Sequence, residues 1–168
     1  RVRGALAALS RMAGGPRPPD MLLVFGQSQA AGHVPLPLPT RFLGRLQDDL
    51  SLVLAYSAAD VFVVPSRQDN LPNTVIESLA CGTPVVAFNI GGLPDMVEHR
   101  RNGWLAPAYE TDALAEGIAW VLADESRRVG LSAAAREIAE IRFREPVIAR
   151  QYAELYAQVL GDRGVSVL

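Results

Sequence analysis

Two acidic residues, Asp69 and Glu77, are separated by seven residues where a predicted loop meets a predicted helix. The neighbours of Glu77 on its own helix face are small and uncharged, namely Asn73, Thr74, Ala80 and Cys81. A solvent-exposed helix face normally carries charged partners three or four residues away, and Glu77 has none there. Both carboxylates can therefore border one pocket at the edge where open α/β sheets bind ligands.

The segment that carries these acids is predicted to form a strand–helix–strand unit. Val61–Val64 and Val85–Phe88 are apolar, β-branched runs that predict buried strands. The helix between them is predicted to begin at Pro72 and Asn73, with Asn73 as the cap. It is predicted to end at Gly82, the usual residue for a left-handed C-terminal cap. Such a unit predicts parallel strands covered on both faces. The free N–H groups at the start of the helix would favour a phosphate group in the same pocket.

The rest of the chain also alternates strands with helices. Further strands are predicted at 21–25, 40–43 and 103–106, and further helices at 4–12, 48–57, 93–98, 111–122 (capped by Thr111), 126–138 and 145–160. This order predicts an α/β fold with a Rossmann-like, doubly wound parallel sheet. Residues 1–160 are expected to form one domain, and residues 161–168 a frayed tail.

Composition excludes several function classes. The net charge of −2 argues against broad nucleic-acid binding. No apolar run is long enough for a transmembrane helix. The start at Arg1 lacks both an initiator Met and a secretory signal, so we expect a fragment. The single cysteine, Cys81, is expected to be an inert packing residue, and a reducing cytoplasm is the simplest setting.

Cofactor and metal sites are also not expected. The spacing of Gly26 and Gly32 does not fit the dinucleotide-binding glycine pattern. His33 and His99 have no partners at the spacing of metal ligands, so both are interpreted as non-catalytic. We therefore predict no cofactor and no bound metal.

The segment PSRQDNLPNTVIESLACGTPVVAF, which contains the Asp69–Glu77 pair, closely resembles the E-x7-E segment of retaining GT-B glycosyltransferases of family 4, the group 1 glycosyltransferases. Further similar motifs follow in the family's order: Arg3-Gly4, LLVFG (22–26), FLGRL (42–46), Gly91-Gly92-Leu93-Pro94-Asp95, Asn102-Gly103-Trp104-Leu105 and Tyr152–Tyr156. The resemblance covers the chain from about Arg3 to Tyr156.

This resemblance implies the C-terminal, donor-binding half of a GT-B enzyme of polysaccharide biosynthesis. The family domain opens with a central strand before the helix at Arg3, and that first strand is expected to be missing here. The implied partners are a nucleotide-diphosphate sugar and an N-terminal acceptor domain, without which the chain would be inactive. Acceptors in the family are saccharides or lipid-linked molecules, so peripheral membrane contact of the full-length enzyme stays open.

The resemblance also implies roles for individual residues. Asp69, one methylene shorter than the family's Glu, would lie near the donor sugar, and Glu77 would hold the nucleotide ribose. The other implied substrate-binding residues are Arg3 (the diphosphate), Arg45 (the base), Asn70 and Leu71 (backbone N–H groups), and Asn73 and Thr74 (the helix start).

Simpler interpretations remain for most of these residues. Asp69, Asn70 and Leu71 could be turn residues, Arg3 and Arg45 could be surface cations, and Glu77 could be a surface carboxylate. Two other functions remain as well, because fold does not fix function: a GT-B sugar-nucleotide epimerase and a non-catalytic nucleotide-sugar-binding module.

Overall fold

The computed structural model describes residues 21–26 and 36–162, which form a mixed α/β structure. The strands are β1 (Leu22–Phe25), β2 (Thr40–Gly44), β3 (Phe62–Val64), β4 (Val85–Phe88) and β5 (Gly103–Ala106). The helices are α1 (Asp49–Ser57), α2 (Asn73–Ala80), α3 (Leu93–Met96), α4 (Thr111–Leu122), α5 (Glu125–Arg142) and α6 (Glu145–Asp162). The predicted helix at 4–12 lies outside the described residues.

All the described strands pair in parallel, as the sequence predicts. β1 pairs with β2, and β3, β4 and β5 form a second sheet with β4 in the centre. Every residue of β4 is buried, because helices cover both of its faces. Val86 and Phe88 pack with residues of α4, whereas Val85 and Ala87 pack with residues of α2 and α5. This division of one strand between two cores confirms the doubly covered architecture.

A cavity of about 640 Å³ lies between the two sheets; most of its lining residues are apolar, and Asp60, Glu125 and Arg128 also line it. β1 and β3 are edge strands of the described sheets, and both line this cavity. Parallel strands pair at about 4.8 Å, so one further strand between them would join the two sheets into one. The described residues do not test whether the domain's first strand is missing from this chain, so its absence stays a prediction.

The predicted boundaries of five helices need adjustment. Asn73 and Thr111 are not caps, because α2 begins after Pro72 and α4 after Glu110, in both cases without a side-chain capping bond. α5 is longer than predicted, since Asp124 caps it by accepting from the Arg127 N–H. The short α3 ends at Met96 rather than at 98. α6 continues to Asp162, two residues into the segment expected to fray, and residues 163–168 lie outside the described part.

Candidate active site

The loops that follow β3, β4 and β5 lie at one edge of the larger sheet, because parallel strands end on the same side. These are the β3–α2 loop (65–72), the glycine turn (89–92) and the β5–α4 loop (107–110). In open α/β sheets this carboxyl edge is where ligands bind. The described residues therefore place Asp69 at the edge that the sequence predicts.

The glycine turn packs directly on the backbone of the β3–α2 loop. A Cβ atom added to Gly91 would collide with the carbonyl oxygen of Asp69, and one added to Gly92 would collide with that of Asn70. Gly91 also has φ +52°, a left-handed conformation that glycine adopts without a steric penalty. The two glycines therefore fix the position of the loop that carries the first acid.

The β5–α4 loop also contacts the β3–α2 loop, through Tyr109. The Tyr109 hydroxyl donates a hydrogen bond to the Arg67 carbonyl oxygen at 3.1 Å. The Arg67 guanidinium lies over the Tyr109 ring, 4.9 Å from its centroid. Sequence reasoning missed both residues, because they stand 42 positions apart and neither belongs to a local pattern.

The predicted binding residues of the β3–α2 loop differ in their exposure. Asp69 is half-buried, while Asn70 and Leu71 are exposed at the loop's end. The carbonyl groups of Asp69 and Asn70 face the glycine turn, as the collisions at Gly91 and Gly92 show. The loop is thus held from one side through its backbone, and the side chains of Asn70 and Leu71 reach solvent.

The N-terminus of α2 is open toward the same edge. Asn73 and Thr74 are its first residues and are exposed. Its first turn has neither a side-chain cap nor an acidic residue. The first N–H groups of a helix lack intrahelical partners and carry a partial positive charge, so this terminus suits an anion.

Glu77 lies one turn further along α2 and is half-buried. Its Oε2 atom accepts a hydrogen bond of 2.9 Å from the hydroxyl of Tyr56, which belongs to α1. The sequence correctly gives Glu77 no charged partner on its own helix, but it gives no signal for a tyrosine 21 residues away. No ion pair involving Glu77 occurs among the described residues.

The structure describes one of the two predicted basic residues. Arg3 lies outside the described residues. Arg45 is exposed and follows β2, at the carboxyl edge of the two-stranded sheet. The described residues therefore bring together Asp69, Asn70, Leu71, Asn73 and Thr74, with Glu77 on the same helix.

Comparison with known proteins supplies the decisive observation. Residues 28–138, well over half of the chain, match the family described as Glycosyl transferases group 1. The chain belongs to the group 1 glycosyl transferases. The predicted family is therefore confirmed, and so is the predicted Rossmann-like, C-terminal half of a GT-B fold.

Individual relatives of this glycosyl transferase chain are consistent with the family. It is 31% identical over 161 residues to the GDP-mannose-dependent alpha-(1-6)-phosphatidylinositol monomannoside mannosyltransferase of Mycobacterium tuberculosis, a match that covers 92% of this chain and 40% of the relative. Sucrose-phosphate synthase of Thermosynechococcus elongatus superposes with a TM-score of 0.76 at 30% identity, over 96% of this chain and 44% of that one.

A second solved relative contains a nucleotide sugar. Anabaena HepE in complex with UDP-glucose superposes with a TM-score of 0.63 at 31% identity, over 73% of this chain and 33% of that one. The glycosyl transferase chain spans less than half the length of each of these three proteins.

Two further features of this glycosyl transferase chain concern metals and membranes. Among residues 21–26 and 36–162, no cluster of His, Cys, Asp and Glu side chains is arranged to hold a metal ion. His99 instead accepts a hydrogen bond from the Leu105 N–H at 3.1 Å and packs on Trp104. None of the helices in that part of the chain is both long and apolar enough to cross a membrane.

Proposed function

We propose that this chain is the donor-binding part of a retaining glycosyltransferase and binds a nucleotide-diphosphate sugar at the carboxyl edge of its larger sheet. The observation that carries the proposal is the family match, joined to the UDP-glucose complex of a relative 31% identical over most of this chain. The open terminus of α2 and the fixed β3–α2 loop supply suitable chemistry at this edge.

In this proposal the nucleotide lies across the start of α2. The diphosphate meets the N–H groups at Asn73 and Thr74, whose partial positive charge offsets its negative charge. Arg3 adds a cation that can pair with a diphosphate bidentately. Glu77 accepts hydrogen bonds from the ribose hydroxyls, because an ionised carboxylate has about four acceptor positions. Arg45 flanks the base.

The donor sugar lies toward the β3–α2 loop. Asp69 orients the sugar, and the backbone N–H groups of Asn70 and Leu71 contribute further hydrogen bonds. When the bond between the anomeric carbon and the diphosphate oxygen breaks, negative charge develops on the departing diphosphate. The N–H dipoles at the start of α2, which are oriented before the reaction, and the Arg3 cation stabilise this charge, so the proposal requires no metal and no other cofactor.

The acceptor side of the reaction is proposed to lie in another domain. The chain spans 40% of the length of its mannosyltransferase relative, which supports an acceptor site in a part of the whole enzyme outside this chain. We expect this chain alone to bind nucleotide weakly and to transfer no sugar, since an acceptor domain would close over the donor. A saccharide or a lipid-linked acceptor, a cytoplasmic location and peripheral membrane contact complete the proposal.

Calorimetric titration with UDP and GDP tests the proposed role of Glu77. We expect Glu77→Ala to lower the affinity at least about 100-fold, because each hydrogen bond to a charged group contributes about 1.5–3 kcal/mol and two are lost. The matched control is Glu116→Ala, which removes an exposed glutamate from α4 and should leave affinity unchanged. Equal affinity of wild type and a folded Glu77→Ala variant would refute the ribose role.

A further inference from the structure

The side chain that orients the Glu77 carboxylate comes from a different helix. Tyr56 lies near the end of α1, is 1% exposed, and donates its hydroxyl hydrogen bond to Oε2 of Glu77 at 2.9 Å. The contact joins the core of the protein to a half-buried acid at the candidate site. Glu77 thus has a hydrogen-bond donor on another helix, although its own helix face carries no charged partner.

Core packing fixes the position of the Tyr56 hydroxyl independently of Glu77. The Tyr56 ring packs edge-to-face against Phe25 of β1 and Phe62 of β3, with centroids 5.3 Å away in both cases. Its backbone carbonyl oxygen accepts a hydrogen bond of 2.7 Å from the Thr83 hydroxyl, which is itself buried. The tyrosine is therefore held at both ends, and the flexible glutamate side chain is the partner that adapts.

The direction of this hydrogen bond follows from the two groups. Burial raises the pKa of the Tyr56 hydroxyl well above its ordinary value, and the hydrogen bond to Glu77 raises that pKa further. The phenol consequently stays protonated and donates, and the carboxylate accepts. Among the described residues no side chain donates to Oε1 of Glu77, and it is this second oxygen that meets the ligand in the proposal.

We infer that Tyr56 is a positioning residue, which holds Oε2 of Glu77 and thereby aims Oε1 at the vicinal hydroxyls of the nucleotide ribose. This inference rests on the proposed function, in which Glu77 meets the ribose. It adds that the discrimination between ribose and a deoxygenated sugar depends on a residue that touches no ligand atom. Without the Tyr56 hydroxyl, the carboxylate samples several rotamers and part of its hydrogen-bond energy is lost.

The test compares ribonucleotide with dideoxynucleotide binding in the Tyr56→Phe variant. Calorimetric affinities are measured for UDP and GDP and for their 2′,3′-dideoxy analogues. We expect the wild type to prefer the ribonucleotide, and Tyr56→Phe to lower this preference about tenfold while its affinity for the dideoxy analogue is unchanged. Tyr152→Phe, which alters an exposed tyrosine of α6, is the matched control and should keep the full preference.

Three results would overturn the inference. An unchanged preference for the ribonucleotide in Tyr56→Phe would show that Glu77 binds the ribose without the Tyr56 hydroxyl. The proposed function would then remain intact. An equal loss of affinity for ribonucleotide and dideoxynucleotide would show a general structural role. The absence of any ribose preference in the wild type would remove the proposed role of Glu77 itself, and the inference with it.

A second measurement does not depend on the stability of the variant. The four tyrosines are replaced biosynthetically by 3-fluorotyrosine, and the resonance of residue 56 is assigned by changing the other three to phenylalanine one at a time. We expect this fluorine resonance to shift on addition of the ribonucleotide and not on addition of the dideoxy analogue. A resonance that responds to neither nucleotide, or equally to both, contradicts the inference.

Discussion

Replacement of Gly92 by alanine would displace the candidate site through a single methyl group. Gly92 has φ −88° and ψ 5°, a conformation open to alanine, so the backbone itself contributes little strain. A Cβ atom there would lie 2.9 Å from the carbonyl carbon of Asn70 and 3.1 Å from Cγ of Leu71. Real Cβ atoms essentially never approach other heavy atoms within 3.0 Å, so the two loops must separate.

The size of the effect follows from this separation. Restoring ordinary contact with the Asn70 carbonyl group requires a shift on the order of 1 Å. Overpacking of this kind costs about 1–3 kcal/mol of unfolding free energy. A displacement of about 1 Å in a binding group can lower function up to about 100-fold, so we expect Gly92→Ala to weaken nucleotide binding by at least about tenfold.

Urea denaturation and calorimetry with UDP and GDP measure the two effects. The control is Gly130→Ala in α5, where an added Cβ would meet nothing within 4 Å. Because glycine weakens helices, this control should gain about 0.5–1 kcal/mol of stability and keep its nucleotide affinity. Wild-type stability and affinity in Gly92→Ala would refute the conclusion that the glycine turn fixes the β3–α2 loop.

Two further predictions concern the core and α1. Gly117→Ala in α4 should lower the unfolding free energy by about 1–3 kcal/mol, because the new Cβ would lie 2.7 Å from Nε1 of the buried Trp104. The same contact should change the tryptophan fluorescence. A variant more stable than the wild type would contradict this prediction. Hydrogen bonds from the Ser51 hydroxyl and N–H hold the pKa of Asp48 below its usual value, so its stabilisation of α1 is complete above about pH 4 and is lost as pH falls through the lowered pKa. Denaturation curves from about pH 5 to pH 2 should therefore show a larger loss of unfolding free energy in the wild type than in Asp48→Asn. Equal losses in the two proteins would contradict the stabilising role of the Asp48 carboxylate.

Local patterns predict the elements of this fold well. β4 has the predicted bounds, because its short apolar run lies between turn residues, with Thr83-Pro84 before it and the glycine turn after it. Gly82 takes the left-handed conformation predicted at the end of α2, with φ +73°. The predicted caps at Asn73 and Thr111 are wrong. Capping depends on backbone geometry at a single residue, and a sequence pattern locates a helix end only to within one or two positions.

The contacts that hold the candidate site could not be predicted from such patterns. The Tyr56–Glu77 hydrogen bond spans 21 residues and the Tyr109–Arg67 bond spans 42, so both depend on how separate elements pack. The approach of Gly91 and Gly92 to the β3–α2 loop is likewise a tertiary contact. The sequence predicts which residues stand at the carboxyl edge, and the structure adds what keeps them there.

The central claim is that a nucleotide sugar binds over the start of α2, beside the β3–α2 loop. Amide chemical shifts of the ¹⁵N-labelled chain, recorded during titration with UDP-glucose and with GDP-mannose, test this claim most directly. We predict that one of these ligands produces saturable shifts that are largest between Asp69 and Glu77. Shifts confined to the residues around the cavity between β1 and β3, or no saturable shift with either ligand, would contradict the claim.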